Sequence, residues 1–590
     1  MCGIYGYAGD NAAGLKVVEG LKRLEYRGYD SWGVAVNTGN EIHIKKRVGA
    51  IGDFKKHSRF PNASAGIGHT RWATHGGVTV TNAHPRKAKS GEFVIAHNGI
   101  VQNYNKLKGQ LERDGYTFES ETDTEVILGL IETAMDYGMD IRSALRAAFG
   151  KIEGRNTTIL LTSKGDIYAI RNGSPLVVGL TKDGEVYFSS DTLSFAGLVE
   201  DIIVIENGQM VSFVDEKLSL SALKNGQDLK VKTQKLGIKT GKIDKDGYEH
   251  FMLKEINETP EVLRQVIDTD KSKLEQLAAQ IRGAEDVYTI GSGTAGIAAA
   301  QIAYFIRKHS GVEAVSLVGA DATEYLDLMS SEDVLIAPSQ SGETADVLEV
   351  LEITQQKGVK IATYVNMPGS TMTRIADFPF MANAGPEICV MSTKVFTSQI
   401  AWGYLLAKTI ADEYEDGIAN LRKLVENASE FLGSKKASSA INKLSGQFAS
   451  KNDLLLLGKA DNYQIVKEGM VKLIEGSYKH AHAIPAGDLK HYAITLIEDG
   501  VDVILILPDG EHNSDIYNAA SEVKARGATV TVLANKRYPE FDSTLIVPDC
   551  GEVSSIMNIL PLQLLAYYLT VRLGNNVDKP RNIAKSVTVK

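Results

Sequence analysis

The second half of the chain carries the same order of short apolar segments twice. Three pairs of segments match at nearly one spacing: Gly291 with Gly458 (167 residues apart), Pro338 with Pro508 (170), and Asn366 with Asn535 (169). A helical pattern follows most of these segments, and short buried strands that alternate with helices form parallel sheets. The repeat therefore predicts two copies of one doubly wound α/β domain.

The first 235 residues show a different pattern. Short β-rich runs such as SWGVAVN and TTILLTS alternate with a few helical segments such as AAGLKVVEGLKRLE. This pattern is typical of an α+β domain with a large antiparallel component. We therefore expect a first domain over 2–235, a linker over 236–250, two α/β domains over 251–425 and 426–575, and a tail over 576–590.

The charge, the cysteine content and the lengths of the apolar runs argue against several classes of protein. The net charge of −9 gives no basic footprint for nucleic acid, and charged residues make up 23% of the chain, as in ordinary globular proteins. Cys2, Cys389 and Cys550 are too few and too far apart for a disulfide framework or a cysteine zinc site. The sequence shows neither a signal peptide nor an apolar run long enough to span a bilayer, so we expect a cytoplasmic protein.

Cys2 follows the initiator methionine directly. Methionine is normally removed before a small residue, which would leave a thiol and an α-amine on one residue. Because an α-amino group titrates near 7.7–8.0, it can serve as the base that takes the thiol proton. The alternative is that Cys2 simply packs as a small hydrophobic residue.

Polar residues that suit an amino acid substrate cluster in the first domain. Arg71 and Asp123 could hold the carboxylate and the ammonium of a zwitterion. Asn98 and the amide of Gly99 follow the strand FVIAH and could form an oxyanion hole. Together with an amino-terminal thiol, these residues indicate hydrolysis of a glutamine amide.

In the first α/β copy, a strand runs into SQSGET and a helix follows at once. Hydroxyls and free backbone N–H groups at a helix N-terminus favour an anion, and phosphate is the natural ligand. The residues that we expect to hold it are Ser339, Gln340, Ser341 and Thr344. A simple serine or threonine cap remains the alternative.

The corresponding loop of the second copy reads PDGEHNSD, which is acidic and predicts poor phosphate binding. This copy instead has Lys472 and Glu475 three residues apart on one face of a predicted helix. They are either acid–base groups or a solvated ion pair, and the spacing alone favours the ion pair. The nearby His480 and His482 lack matched carboxylates and make a weak case for a metal.

These motifs carry a family resemblance. MCGIYGYAG, LEYRGYDS, HTRWATHG, HNGI and SETDTEVI resemble the N-terminal-nucleophile glutaminase domain of class II amidotransferases, which implies stacked antiparallel sheets. SQSGETAD, NMPGST, STKVFT and GDLKH resemble a pair of sugar isomerase (SIS) domains. The domain order and the ending DKPRNIAKSVTVK are similar to the family of glutamine:fructose-6-phosphate aminotransferases.

The resemblance implies a role for each matching residue. Cys2 attacks the glutamine amide, and Asn98 and Gly99 stabilise the oxyanion. The residues implied to bind glutamine are Arg71, Trp72, Thr74, His75 and Asp123. Those implied to bind the sugar phosphate are Gly293, Thr294, Ser339, Gln340, Ser341, Thr344 and Lys472. Glu475 moves a proton between C1 and C2, His491 opens the sugar ring, and Lys585 forms a Schiff base, which requires the tail to fold into the active site.

The implied reaction converts fructose 6-phosphate and glutamine into glucosamine 6-phosphate and glutamate, without a metal or cofactor. Membership in the family also implies a homodimer with small-molecule substrates. Ala295 and the Tyr492–Ala493 pair depart from the family pattern. Two alternatives therefore remain: a glutaminase coupled to another phosphosugar, and a catalytically silent sugar-phosphate sensor.

Overall fold

A computed structural model describes residues 2–9, 12–39, 41–52, 60–195, 197–236 and 244–588. These residues form two compact units. The first contains the described residues up to 236 together with 584–588, and the second contains residues 244–583. Residues 237–243 of the predicted linker lie outside the described residues.

The first unit is built mainly from strands. Its described strands are β1 (Gly3–Ala8), β2 (Ser31–Asn37), β3 (Ile42–Val48), β4 (Ala65–Arg71), β5 (Arg86–Lys87), β6 (Phe93–Gly99), β7 (Asn156–Thr162), β8 (Ile167–Asn172), β9 (Val177–Leu180), β10 (Val186–Ser189), β11 (Asp201–Val204), β12 (Gln209–Val214), β13 (Lys217–Ala222), β14 (Asp228–Leu229) and β15 (Gln234–Lys235). Its described helices are α1 (Ala13–Arg23), α2 (Tyr104–Arg113), α3 (Thr124–Asp136) and α4 (Ile141–Phe149).

These strands form two antiparallel sheets, in the orders β15-β11-β9-β10-β1-β4-β2-β3 and β14-β13-β12-β8-β7-β6-β5. Side chains alternate along β1, so Ile4 enters the core between the sheets while Tyr5 packs on the side of α1. A Cβ on Gly6 would lie 2.6 Å from Ile159 Cδ1, so glycine is what lets the sheets approach at this point. The predicted α+β fold with stacked antiparallel sheets is confirmed.

The second unit alternates strands and helices. Its strands are β16 (Val287–Gly291), β17 (Val315–Val318), β18 (Val334–Ser339), β19 (Lys360–Val365), β20 (Phe378–Met381), β21 (Asp453–Gly458), β22 (His480–Pro485), β23 (Asp502–Ile506), β24 (Thr529–Ala534) and β25 (Ser543–Ile546). Its helices are α5 (Phe251–Asn257), α6 (Thr259–Ile267), α7 (Lys271–Arg282), α8 (Thr294–Ser310), α9 (Ala345–Lys357), α10 (Thr371–Ile375), α11 (Lys394–Ile410), α12 (Tyr414–Gly433), α13 (Lys435–Ala449), α14 (Tyr463–Ser477), α15 (Asn513–Lys524) and α16 (Ser554–Arg572).

Two parallel five-stranded sheets confirm the predicted duplication. Their orders are β17-β16-β18-β19-β20 and β22-β21-β23-β24-β25, which is one topology used twice. Gly291 and Gly458 each end the first strand of their copy. The proline match is less regular, because Pro338 lies inside β18 whereas Pro508 lies beyond the end of β23.

The two copies share one hydrophobic core. The central helices α11 and α16 are buried along most of their length, and a single cluster of buried side chains joins residues of both copies. The predicted division between residues 425 and 426 falls inside α12, so the chain has no break there. Periodicity alone could not reveal this, because α12 belongs to the shared core.

One helix of the described residues, Gly551–Arg572, is long and apolar enough to cross a membrane by composition. No such stretch was expected from the sequence. However, 89% of it is buried inside the protein, and a core helix passes the same test. Its apolar character is explained by packing in the shared core.

Candidate functional sites

Strand register brings Cys2 next to the end of β4. Gly3 pairs with Thr70 in the antiparallel ladder, so the residue before Gly3 lies beside Arg71 and Trp72. The Trp72 N–H donates to Cys2 Sγ at 3.3 Å, and the thiol lies 3.4 Å from Trp72 O. The half-buried thiol therefore has a defined position at the edge of a central strand.

Burial is the main influence on the Cys2 thiol and raises its pKa. The positive charge of the amino terminus, the Trp72 N–H and Arg71 oppose this rise, while Asp123 adds to it. A thiol with a raised pKa is mostly protonated at neutral pH and needs a base to become a nucleophile. This environment is compatible with the predicted role of the α-amine.

Arg71 holds the loop that follows β4. Its guanidinium donates to the carbonyl oxygens of His75 (2.5 Å), Gly76 (3.2 Å) and Gly77 (3.0 Å). Glu121, which the sequence analysis did not assign, secures the same loop by accepting from the Gly77 N–H at 3.0 Å. In this structure Arg71 is thus a loop anchor, and its predicted contact with substrate stays a prediction.

The other predicted glutamine-binding residues surround this loop. Trp72 is half-buried and makes an edge contact with Tyr29, with 6.5 Å between ring centroids. Thr74 is exposed, and the half-buried His75 ring lies 6.0 Å from that of Tyr104. Asp123, at the start of α3, accepts a hydrogen bond of 2.8 Å from the Val101 N–H.

Asn98 is buried at the end of β6, and His69 fixes its amide. His69 Nε2 lies 3.2 Å from Asn98 Oδ1 and 3.0 Å from the carbonyl oxygen of His97. Both partners are acceptors, so Nε2 carries the proton and the Asn98 NH₂ group is left to donate elsewhere. Gly99 has a φ of 150°, and a Cβ there would lie 2.3 Å from Arg155 O, so the turn requires glycine.

Arg27 and Asp191 were missed by the sequence analysis. The Arg27 guanidinium donates to the Cys2 carbonyl oxygen at 3.3 Å and to Asp191 Oδ2 at 2.7 Å. The Tyr26 hydroxyl donates to the same carboxylate. Tyr26 and Arg27 lie in the motif LEYRGYDS, which is the one sequence feature that could have pointed to them. The motif alone does not indicate that Arg27 contacts Cys2.

In the second unit, the two loops predicted to hold phosphate follow β16 and β18. These neighbouring strands lie where the strand order reverses, the usual ligand position in open parallel sheets. Gly293 adopts a φ of +58°, and Thr294 begins α8. The Gly-rich turn and the serine loop therefore share one edge of the sheet.

The serine loop is organised by its own hydroxyls. Ser339 Oγ accepts from the Gly342 N–H at 2.9 Å, and Ser341 Oγ accepts from the Glu343 N–H at 3.2 Å. Thr344 occupies the N-cap position of α9 without making a side-chain cap bond, and Gln340 is half-buried. Two serine hydroxyls thus accept hydrogen bonds from backbone N–H groups of the loop, whereas a simple helix cap would use one hydroxyl.

Gly342 is required by the loop. It has a φ of +65°, and a Cβ there would lie 2.1 Å from Ser370 Oγ. The buried Glu343 accepts from the Thr371 N–H at 2.6 Å and so ties the loop to α10. These contacts explain the motif NMPGST, which contains Ser370 and Thr371, as a support for the serine loop.

Lys472 is fully buried on α14. Its ammonium donates to Glu475 Oε2 at 2.5 Å and to Thr294 Oγ1 at 3.1 Å. The solvated ion pair favoured by spacing alone is therefore wrong for Lys472, because its side chain has no exposed surface. A second carboxylate, Glu468 Oε1, lies 3.3 Å from Lys472 Nζ and was not predicted.

His491 and Lys585 are the remaining residues predicted for the sugar site, and their roles stay predictions. His491 is exposed at the end of a short 3₁₀ turn, Leu489–His491. Lys585 lies in the segment that groups with the first unit. Before that segment the tail is anchored, since Asp578 accepts from the Phe251 N–H (3.1 Å) and Arg581 stacks 4.2 Å from the Tyr478 ring centroid.

The second unit also contains a cavity away from the predicted sugar site. A cavity of about 410 Å³ lies at the equivalent edge of the second sheet, with Asp461, Asp509 and Glu511 among its lining residues. No predicted site residue lines it. Within the described ranges, no group of three His, Cys, Asp or Glu side chains is placed to hold a metal ion.

Comparisons with known proteins agree with this architecture. Residues 55–248 match the model of a glutamine amidotransferase domain, and residues 280–409 and 447–571 each match that of a SIS domain. The glutamine–fructose-6-phosphate aminotransferase [isomerizing] of Thermococcus kodakarensis is 36% identical, and that of Bacillus licheniformis 37%, each over 100% of both chains. The C-terminal domain of the Francisella tularensis glucosamine-fructose-6-phosphate aminotransferase is 29% identical with a TM-score of 0.51, covering 57% of this chain and 99% of that one. The chain belongs to the family of glutamine–fructose-6-phosphate aminotransferases.

Proposed function

We propose that this protein transfers the amide nitrogen of glutamine to fructose 6-phosphate and isomerises the product to glucosamine 6-phosphate. The observation that carries the proposal is the buried Lys472–Glu475 pair, which is bonded to Thr294 of the Gly-rich turn. The pair, which we assign to acid–base chemistry, thus contacts one of the two loops predicted to bind a sugar phosphate. Relatives of this name align with the chain over its full length.

In the first unit, Cys2 attacks the glutamine amide carbon. Its thiol proton passes through the α-amine to the leaving nitrogen, so ammonia departs and a thioester remains. Asn98 and the Gly99 amide stabilise the oxyanion, and Asp123 holds the substrate ammonium. Water then cleaves the thioester, which releases glutamate and restores the thiol.

In the second unit, the loop from Ser339 to Thr344 holds the phosphate while His491 opens the sugar ring. Lys585 condenses with the C2 carbonyl and releases water, and ammonia then replaces the lysine amine. Glu475 moves a proton from C1 to C2, which oxidises C1 and reduces C2 without any external oxidant. The water released here balances the water that the thioester consumes.

The two alternatives predict different products. A glutaminase coupled to another phosphosugar would form no glucosamine 6-phosphate from fructose 6-phosphate, and a silent sensor would release no glutamate. The test supplies glutamine with a panel of ketose and aldose 6-phosphates and measures both products. Glucosamine 6-phosphate formed from fructose 6-phosphate, with one glutamate for each, supports the proposal, whereas its absence contradicts it.

We further propose that the protein works in the cytoplasm as a homodimer without nucleic acid partners. Cys2, Cys389 and Cys550 form no disulfide among the described residues, which suits a reducing compartment. The dimer rests on the family resemblance alone. Sedimentation at micromolar concentration tests it, and a monomer of about 64.0 kDa would contradict it.

A further inference from the structure

The cavity of about 410 Å³ at the carboxyl edge of the second sheet has no role in the proposed reaction. We propose that this cavity binds a small polyhydroxylated cation, of the class of an amino sugar without a phosphate group. Its volume lies within the range of about 300–1,000 Å³ that is usual for small-molecule sites. The described lining residues include none that we assign to glutamine or to the sugar phosphate, so this site is separate from both.

The cavity lies where the candidate sugar site would lie if the two copies were exchanged. The sugar site combines the loops after β16 and β18 with Glu475 of α14, whereas the cavity combines residues after β21 and β23 with Tyr304 and Lys308 of α8. Lys308 and Glu475 occupy equivalent positions, because each lies three residues before the left-handed residue that ends its helix, Gly311 or Tyr478. The duplication therefore made a second site of the same construction.

The loop after β23 has a carboxylate in place of one serine of the serine loop. The helices that follow these two loops, α9 and α15, begin at residues 345 and 513, which are 168 residues apart. The same offset pairs Gly342 with Gly510, and both have a positive φ. It also places Asp509 at the position of Ser341. Because a carboxylate repels a phosphate group, this second site disfavours a phosphosugar.

The cavity is lined by more negative than positive side chains. Its acidic lining residues are Asp461, Asp509, Glu511, Asp549 and Glu552. Lys308 is the one lysine among the described lining residues, and its Nζ lies 3.9 Å from Asp461 Oδ2. Asp509 pairs with Lys536 outside the cavity at 2.7 Å, whereas Glu511 forms no ion pair within the described part of the chain. This excess of negative charge attracts a cation.

The cavity also offers a neutral acceptor and apolar surface. Asn558 is 7% exposed, and its Nδ2 donates to Asn462 Oδ1 at 2.9 Å. Its Oδ1 accepts no hydrogen bond within the described ranges, so it can accept one from a hydroxyl or ammonium group of a ligand. Tyr304, Pro508 and Val547 contribute apolar surface to the lining. Apolar walls with a few polar groups are typical of small-molecule sites and suit the C–H face of a sugar ring.

Asp461 is the cavity carboxylate that gains most from a cationic ligand. Its side chain is 18% exposed, and its Oδ1 accepts from Asn462 Nδ2 at 3.2 Å. Burial raises the pKa of Asp461, and Lys308 and His512 oppose the rise. Since burial removes water from the charged form, an ammonium group in the cavity stabilises the carboxylate in place of that water.

The test measures binding of D-glucosamine to the full-length protein by isothermal titration calorimetry at about pH 6.5, where an ordinary amine is charged. We expect saturable binding with a Kd below about 1 mM. Glucose and N-acetylglucosamine keep the ring but carry no charge, and each should bind at least about tenfold more weakly. Addition of fructose 6-phosphate should leave the Kd for glucosamine unchanged, because the two sites share no residue.

Two variants assign the binding to this cavity. Asp461→Asn and the exposed Glu511→Gln each remove one charge with little change of shape, and each should raise the Kd for glucosamine about tenfold. Glu498→Gln is the matched control, because Glu498 is an exposed carboxylate of the same copy and is not among the described lining residues.

Four results overturn the inference. They are a wild-type protein that does not bind glucosamine, glucose that binds as tightly as glucosamine, displacement of glucosamine by fructose 6-phosphate, and a wild-type Kd in both cavity variants. An equal loss in Glu498→Gln also overturns it. The calorimetry needs no turnover, so failure of the proposed synthesis would be seen separately in the product assay.

Discussion

The Thr294 hydroxyl and the Lys472 ammonium are 3.1 Å apart, although 178 residues separate them in the sequence. Thr294 begins α8, the helix after the first strand of one SIS copy, and Lys472 lies on α14, the equivalent helix of the other. The candidate sugar site is therefore made jointly by the two halves of the duplication. Neither copy alone could hold both the serine loop and the acid–base groups.

Removing the Lys472 ammonium should damage both stability and activity. In Lys472→Met, two carboxyl groups face each other without a cation, and loss of one partner of a buried ion pair costs about 3–5 kcal/mol. We expect a lower denaturant midpoint and loss of glucosamine 6-phosphate synthesis, with glutamine hydrolysis retained. Lys408→Met removes another buried lysine and should lose stability while keeping synthesis. Retained synthesis in Lys472→Met would contradict the site.

The serine loop depends on Gly342. Gly342→Ala places a methyl group against Ser370 in a backbone conformation that disfavours side chains, so the loop must shift. We expect the KM for fructose 6-phosphate to rise by about tenfold, corresponding to about 1.4 kcal/mol of lost binding. Gly311→Ala is the control, because its φ of +71° brings similar strain with no atom within 4 Å. Equal effects of the two substitutions would reject a specific role for the loop.

Arg71 should control glutamine use without affecting the sugar site. A lysine in its place cannot reach three carbonyl groups with a planar fork, so the loop over 75–77 loses its anchor. For Arg71→Lys we expect the KM for glutamine to rise about tenfold or more, while ammonia-dependent synthesis is unchanged. Arg142→Lys, in an exposed pair with Asp228, should behave as wild type. An unchanged KM for glutamine would remove Arg71 from the site.

Replacing the thiol of Cys2 should separate glutamine hydrolysis from the synthesis of glucosamine 6-phosphate. Cys2→Ala is expected to abolish synthesis from glutamine and to retain synthesis from ammonia. Because burial raises the pKa of the thiol, alkylation of Cys2 by iodoacetamide should continue to quicken as the pH rises above the ordinary thiol pKa of about 8.5. Peptide mapping by mass spectrometry reports Cys2 separately from the buried Cys389 and Cys550. Glutamine-dependent synthesis by Cys2→Ala would exclude the thiol as nucleophile.

Three buried histidines should make the first unit sensitive to acid. Burial lowers the pKa of His69 to about 3 and also lowers those of His84 and His97. The unfolded chain, with a histidine pKa near 6.5, binds protons first as the pH falls, so stability decreases below about pH 6.5. His84→Phe should reduce the loss of melting temperature between about pH 7.5 and pH 5, measured by calorimetry. His480→Gln, whose parent side chain is 93% exposed, should leave that loss unchanged.

The fold class of both units and the two loops after β16 and β18 could be predicted from the sequence. The repeated strands of the second half predict two sheets of one topology. The carboxyl ends of neighbouring parallel strands meet at one edge, so the serine loop and the Gly-rich turn had to lie close together. These predictions were possible because the periodicity of each strand, and the order of strands and helices along the chain, can be recognised from short stretches of sequence.

Which charged side chains are buried could be learned only from the folded structure. The three-residue spacing of Lys472 and Glu475 fits a solvated surface as well as a buried site, and the choice depends on α8 and α16, which pack against α14. Glu468 could not be recognised from sequence, because its partner Thr294 is 174 residues away. The predicted division at 425–426 falls inside α12, a helix whose apolar side chains belong to the core that both copies share. Desolvation depends on neighbours that are distant in sequence, and therefore burial, charge state and basicity emerge only when the chain is folded.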